Sequence, residues 1–380
     1  MFLHIDLDCF FVSASRVADP DLNGKVVAVA GGNKTDIFGD FIESGVIVSA
    51  SYEARKLGIG CTMHSSIARK IYPNIIILPT NFNLYKTLSN NLFKLLLDYT
   101  DEIEKYSIDE FFLNLKGTKF ENDPLNFAKT LQNRIKNELK LPSSIGISEN
   151  KFIAKFATNL AKPSKIKVIN DISEIQNYEI KMFPGVGKSA ENFLKSHGVV
   201  YIKDAFNAQK IFEKLGKNGL VLYSRICGKS RDQIYKNRPR KSLCIARTFK
   251  EISDRKVIEK RLMVICRYVS FEVFMLGLNP TKFELKIKYK NNQSINASVT
   301  KHSIFTQKLL ETSIKELFLK YDKTSDFTIT YLSVGVGGLN QKTQMSLFDI
   351  QDKKDKTISD TLAKIRLKYG VNAIKSGGEI

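Results

Sequence analysis

Phe2-Leu3-His4-Ile5-Asp6-Leu7-Asp8-Cys9-Phe10-Phe11 decides how this chain of 380 residues is read. Phe2 to Leu7 has the apolar content of a short buried strand, and it runs out into acidic residues. Further along, Ser107-Ile108-Asp109-Glu110 lies inside a second apolar run, Ile103 to Leu115, which reads as a strand or hairpin. Carboxylates brought together on two pairing strands make a site for a hard cation. Asp and Glu oxygens suit Mg²⁺, which keeps some waters and completes its shell from a substrate's phosphates. Two such ions clamp the attacking and leaving oxygens of an in-line phosphoryl displacement.

The formal net charge of +20 favours anionic partners and salt-sensitive association with nucleic acid. The length implies roughly two to four domains, and the 43% hydrophobic content fits a globular protein. Cys9, Cys61, Cys227, Cys244 and Cys266 show no CxxC spacing and the histidines are scattered. No zinc site is expected, and the thiols read as reduced and cytosolic. The opening MFLHIDLD lacks the basic and apolar regions of a signal peptide. No stretch approaches about 18 uninterrupted apolar residues, so no membrane span is expected.

Further strands are expected at Val26–Ala30 and Val46–Ala50, then a short helix at Tyr52–Lys56 stopped by Gly58. Apolar residues at helical spacing mark Leu84–Tyr99. Pro124–Leu139 and Lys151–Ala161 read as helices on either side of a strand at Ser144–Ile147. Met182 to Lys188 is a tight glycine turn between helical segments, and Leu220–Cys227 is helical. Arg231 to Lys241 is basic and poor in apolar residues, which predicts an extended linker. Residues 242–335 read as strand, long helix, two strands, helix, strand. Lys282 to Lys290 alternates, so Lys282, Glu284, Lys286, Lys288 and Lys290 share one face and Phe283, Leu285, Ile287 and Tyr289 the other. Residues 240–343 hold 19 basic and 9 acidic residues, half of the net charge. A strand with one apolar face and one basic face makes a platform for phosphates. A polar tail from Gln341 contains Gln344-Met345-Ser346-Leu347-Phe348 and then a short amphipathic helix, Ile358–Tyr369.

Ile5 to Phe11 resembles the opening strand of the Y-family translesion DNA polymerases of the DinB, or polymerase IV, type. Six further matches follow in that family's order: Tyr52-Glu53-Ala54-Arg55-Lys56, Ser107-Ile108-Asp109-Glu110, Gly146-Ile147-Ser148-x-Asn150-Lys151, Ala161-Lys162-Pro163, Pro184-Gly185-Val186-Gly187, and the Gln-x-x-Leu-Phe tail. The resemblance spans residues 1 to 349. It implies an α+β multidomain right-hand fold. The palm would be 1–10 and 74–165, with a mixed β-sheet and helices, and the small fingers 11–73. A helical thumb with a helix-hairpin-helix would be 166–232 and a basic linker 233–241. An α/β little finger would be 242–340 and a tail 341–380, with a clamp-binding peptide at 344–348.

The resemblance also implies roles. Asp6, Asp109 and Glu110 would hold two catalytic Mg²⁺ ions with the Leu7 carbonyl, while Asp8 reads as structural. Phe11 would be the steric gate against a ribose 2′-hydroxyl, and Phe10 packing or part of the nucleotide floor. Ser49, Tyr52, Arg55 and Lys162 would bind the incoming triphosphate. Ala30-Gly31-Gly32 would leave room over the nascent base pair. Gly185, Gly187 and Lys188 would meet a DNA phosphate without sequence readout. Lys282, Lys286, Lys288 and Lys290 would meet others. Gln344, Leu347 and Phe348 would dock on the bacterial sliding clamp, its β subunit. The expected activity is template-directed, error-prone transfer of dNTPs to a primer 3′-hydroxyl during translesion synthesis, without proofreading. The protein would be a cytoplasmic, nucleoid-associated monomer. Alternatives are a non-catalytic clamp-associated DNA-binding paralogue, an enzyme like the polymerase V catalytic subunit, and a nucleotidyl cyclase with a palm-like core.

Overall fold

A computed structural model gives the fold, and it describes residues 1–31, 34–42, 45–323, 327–340 and 350–379. Gly32, Gln344, Leu347 and Phe348 lie outside the described residues. The chain divides into two compact units. The first holds 1–34 and 41–238, and the second holds 35–40 and 239–380.

The elements of the first unit follow in chain order. They are β1 (Phe2–Leu7), α1 (Phe10–Ala18), β2 (Val27–Ala30), β3 (Lys34–Thr35, whose second residue counts with the other unit), β4 (Phe41–Ile42), β5 (Ile47–Ala50), α2 (Tyr52–Lys56) and α3 (Ser65–Ile71). Next come β6 (Ile76–Pro79), α4 (Phe82–Leu97), β7 (Ile103–Lys105), β8 (Glu110–Asn114), α5 (Pro124–Leu139), β9 (Ser143–Ser148), α6 (Lys151–Ala161) and β10 (Ile166–Val168). The helices α7 (Lys188–Ser196), α8 (Ile202–Ala205), α9 (Gln209–Glu213) and α10 (Gly216–Ile226) close the unit.

The main sheet runs β10-β9-β1-β8-β7. β1 sits in the middle, antiparallel to β8 and β9, with Asp6 opposite Glu110 on one side and Ser144 on the other. Leu3, Ile5 and Leu7 pack with Leu88, Leu92 and Leu96 of α4 and with Leu131 and Ile135 of α5. Period two therefore sends His4 and Asp6 to the other face, where α6 lies. Gly146 is what lets α6 lie so close. A Cβ there would fall 2.1 Å from the Ala154 carbonyl oxygen and 2.4 Å from the Thr158 nitrogen. Side chains cap the helices on this sheet: Asn81 accepts from Leu84 N–H, Asp123 from Asn126 N–H, and Asn150 from Phe152 and Ile153 N–H.

Two short strands pair with partners far away in the chain. β6, Ile76–Pro79, lies parallel to β2 in the small sheet β5-β2-β6. β10 lies parallel to β9 in the main sheet. The helical segment before the Pro184 turn is a single 3₁₀ turn, Ile180–Met182. Helices α7 to α10 share a core of Ile180, Phe183, Leu194, Ile202, Phe212 and Ile226.

The second unit has β11 (Ser242–Ile252), α11 (Arg255–Met275), β12 (Asn279–Tyr289), β13 (Ser294–Thr300), α12 (Gln307–Tyr321), β14 (Ile329–Asn340) and α13 (Ile350–Tyr369). Its sheet, β11-β14-β12-β13, is antiparallel throughout. Phe283, Leu285, Ile287 and Tyr289 are buried with Ile258, Leu262 and Ile265 of α11 and Leu310 and Ile314 of α12, while Lys288 and Lys290 are exposed. The alternation along β12 thus separates core from surface. The region expected as a tail is not free of the unit. Buried Arg267 of α11 pairs with Glu379 at 3.0 Å, and buried Arg366 of α13 donates to Gln307 Oε1 at 2.6 Å and to the Ile374 carbonyl. Composition hid this docking because arginines carry it in place of an apolar stripe.

Candidate functional site

The end of β1 and the start of β8 bring the expected carboxylates together. Asp6 is 6% exposed and faces Glu110 across the strand pair, and Leu7 N–H donates to the Asp109 carbonyl at 3.0 Å. Ser107 shapes the turn before β8. Its hydroxyl donates to the Asp109 carboxylate and accepts from the N–H groups of Asp109 at 3.3 Å and Glu110 at 3.0 Å. Burial pushes the Asp6 carboxyl up to about 7; Lys162 pulls it down, and Glu110 and Asp109 push it up again.

Two lysines of the α6 segment answer this negative charge. Lys162 Nζ lies 2.6 Å from Asp6 Oδ2, and Lys155 Nζ pairs with Glu110. Lys155 is a site residue that the sequence reading missed. Its signal was available, because Lys151, Lys155 and Lys162 are four and seven apart and fall near one helix face. Among the described residues no group of three His, Cys, Asp or Glu side chains is arranged to hold a metal ion as it stands. Asp6, Asp109 and Glu110 nevertheless fit a divalent cation. They are hard oxygen donors, near enough to raise Asp6, and ammonium groups stand against two of them. His4 is fully buried with its Nε2 3.9 Å from Glu110 Oε1. Burial first, and then the cations Lys155, Lys162 and Lys151, hold its pKa well below the usual value, so it does not add positive charge.

Asp8 is spoken for by the protein. It is 1% exposed and accepts from Ser144 Oγ at 3.0 Å, Ser164 N–H at 2.8 Å, Ser164 Oγ at 3.2 Å and Tyr52 Oη at 3.2 Å. Tyr52 thereby links α2 to the carboxylate turn, and burial and Asp8 together raise its pKa. Arg55 is exposed, donates to the Ala50 carbonyl at 3.1 Å, and lies 5.1 Å from the centroid of the Tyr52 ring. Ser49 is buried on β5 opposite Val29.

Phe10 and Phe11 separate cleanly. Phe10 is buried in the main core. Phe11 is half-buried and stacked on Tyr85 at 4.2 Å and 11°, with Phe82 edge-on at 5.9 Å. In the hairpin turn, Gly185 has φ +101°, open to glycine and strained for other residues, and Gly187 caps α7. Lys188 lies 3.3 Å from Glu191. On β12, Lys282 pairs with Glu284 at 2.6 Å and Lys290 with Glu251 at 2.8 Å. Among the described residues no helix is long and apolar enough to cross a membrane.

The raised Asp6 carboxyl makes stability depend on pH. Its folded pKa of about 7 exceeds its ordinary 3.8, so the folded cation-free protein binds the proton more tightly than the unfolded chain. Stability from this group is full below about pH 4 and is lost as pH rises towards 7. In EDTA, the fall in Tm between pH 5 and pH 8 is expected to be smaller in Asp6→Asn than in the wild type. Equal slopes in the two proteins would contradict this assignment.

The sequence profile of the impB/mucB/samB family matches residues 5–159, and that of the family's C-terminal domain matches 240–347. DNA polymerase IV 1 of Bacillus subtilis is 30% identical over all of this chain and 93% of its own length. DNA polymerase IV of Clostridium kluyveri is 30% identical over 99% of this chain and 97% of its own. Among solved structures, a Y-family DNA polymerase chimera is similar in fold, with a TM-score of 0.77 at 24% identity over 90% of this chain and 99% of the other.

Proposed function

The chain belongs to the impB/mucB/samB family of Y-family polymerases, and from that premise we propose that it is a template-directed DNA polymerase of the translesion type. The primer 3′-hydroxyl attacks the α-phosphate of a dNTP and pyrophosphate leaves. The observation that carries this reading is the pairing of Asp6 with Glu110 across β1 and β8, beside Asp109 and under Lys162 and Lys155.

Asp6, Asp109, Glu110 and the Leu7 carbonyl are the groups that would hold two Mg²⁺ ions. Magnesium, when bound, supplies charge to the attacking and leaving oxygens. Lys162, Arg55 and Tyr52, with Ser49, bind the triphosphate and balance the charge that builds on it during transfer. Phe11 closes the floor under the sugar. Asp8 keeps the turn rigid, which holds the carboxylates in place before substrate arrives. Gly185, Gly187 and Lys188 meet the DNA backbone, as does the basic face of β12. Gln344, Leu347 and Phe348 dock on the sliding clamp and tether a cytoplasmic, nucleoid-associated monomer.

Primer extension on undamaged and abasic templates, with Mg²⁺ and dNTPs or rNTPs, tests the reading. Extension with dNTPs alone is expected. Intact DNA binding without extension would shift the conclusion to a non-catalytic relative. The DNA face has its own test. Lys282 and Lys290 are already neutralised by glutamates, so Lys286 and Lys288 carry the free charge. Replacing both with alanine is expected to lower the slope of log K against log salt by about 2. An unchanged slope would remove this face from the DNA contacts.

A further inference from the structure

Asn150 and Lys151 belong to one of the stretches that carries the family resemblance, and both are committed to the chain that leaves α10. Asn150 Nδ2 donates to Ser230 Oγ at 2.9 Å. Lys151 is fully buried on α6, within 4.8 Å of the Phe112 ring centroid and 5.3 Å of the Tyr235 ring centroid. It donates to Glu104 Oε2 at 2.5 Å and to the Gln233 carbonyl at 3.0 Å. Glu104, fully buried on β7, also accepts from Tyr235 N–H at 2.8 Å and pairs with Arg238 at 2.7 Å. Arg225 grips Asp232 through two bonds of 2.9 and 2.7 Å, and Lys236 reaches Asp101 at 2.8 Å and Glu102 at 2.7 Å. The sequence predicts an extended basic linker here. It is extended, but up to Arg238 it is bound to the first unit.

A buried lysine and glutamate cost solvation and persist where partners satisfy them. Here the partners are backbone groups of residues 233 and 235. We infer that Glu104 and Lys151 form a seat that holds residues 230–238 on the catalytic unit, so that the second unit is tethered from Pro239 and not from the end of α10. They are thereby positioning residues for the grip on primer–template. This rests on the reading that both units touch DNA. Asn150 and Arg225 keep Ser230 and Asp232 in place without the seat, and effective concentration falls roughly as the −3/2 power of tether length, so freeing 233–241 in place of 239–241 weakens the joint grip about fivefold.

The test uses the full chain. Glu104→Gln with Lys151→Met removes both buried charges together, which avoids leaving one unpaired. Tyr235→Pro with Arg238→Gln opens the seat from the exposed segment, so it stays informative where the first variant fails to fold. Limited trypsin digestion, read by mass spectrometry, is expected to cut the wild type first at Arg240 and Lys241. Either variant gains an early cut at Lys236. Primer–template Kd by fluorescence anisotropy is expected to rise about fivefold, with the incorporation rate at saturating DNA unchanged. An unchanged cleavage map overturns the seat. An opened map with unchanged Kd overturns the positioning role. If Lys286→Ala with Lys288→Ala leaves Kd unaltered, the DNA-face reading fails, and the cleavage map still decides the seat without DNA.

Discussion

Asp109→Ala is expected to lower single-nucleotide incorporation by about a thousandfold, roughly 4 kcal/mol of lost transition-state stabilisation, while leaving primer–template affinity near the wild-type value. The carboxylate sits at the turn into β8, where Ser107 holds both its side chain and its N–H. Its removal loosens the turn that presents Glu110 and, on the proposed reading, deletes an oxygen ligand of the cations. Removing one preorganised electrostatic group from an active site costs about 10²–10³ in rate, and the double role places Asp109 at the upper end. For stability two effects oppose each other: Asp6 is relieved of one like charge, and the turn loses its side-chain bond from Ser107. Rapid-quench incorporation, anisotropy with the same DNA and a melting curve separate the three effects. Wild-type incorporation by this variant would refute the site.

Phe11→Ala is expected to raise ribonucleotide use by about a hundredfold or more relative to deoxyribonucleotides, a size set by the loss of a direct steric clash. The ring is held in place on one face by Tyr85 and at its edge by Phe82. A 2′-hydroxyl could displace the ring only by breaking that stack, so on the proposed reading rejection would come from stiffness as much as from size. Phe10→Ala separates the two aromatics. Phe10 lies in the main core, and its truncation is expected to lower Tm with little change in sugar selection. Competing dCTP and CTP on one template gives the ratio directly. Equal ratios for Phe11→Ala and wild type would move the gate elsewhere.

Much of this was legible in residues alone because the signals are local. The alternation from Lys282 to Lys290 needs only period two, and α5 and α6 announce themselves through Pro124 and Asn150 at their starts and Pro163 beyond the second. The carboxylate pair was readable because acidic residues interrupt apolar strands. Other features depend on partners far away in the chain. The three residues of β10 acquire meaning only from β9. Glu104 looks like an ordinary surface residue of a short strand until residues 233–238 are laid over it. Lys155 becomes a site residue only once β8 and α6 face one another. Arg366 ties α13 to the unit and Arg267 ties down Glu379 beyond it, residues that hydropathy assigns to solvent.

Gly146 carries a consequence for how this protein can change over generations. Each of the other nineteen amino acids brings at least a Cβ, which at this place meets the backbone of α6. A missense change in that codon therefore displaces the helix that bears Lys155 and leads into Lys162. Lysines on the outer faces can drift to arginine or glutamine with modest loss. A position with no functional group of its own is thus bound as tightly by inheritance as the carboxylates opposite, and a survey of tolerated variants would show a sharp gap there.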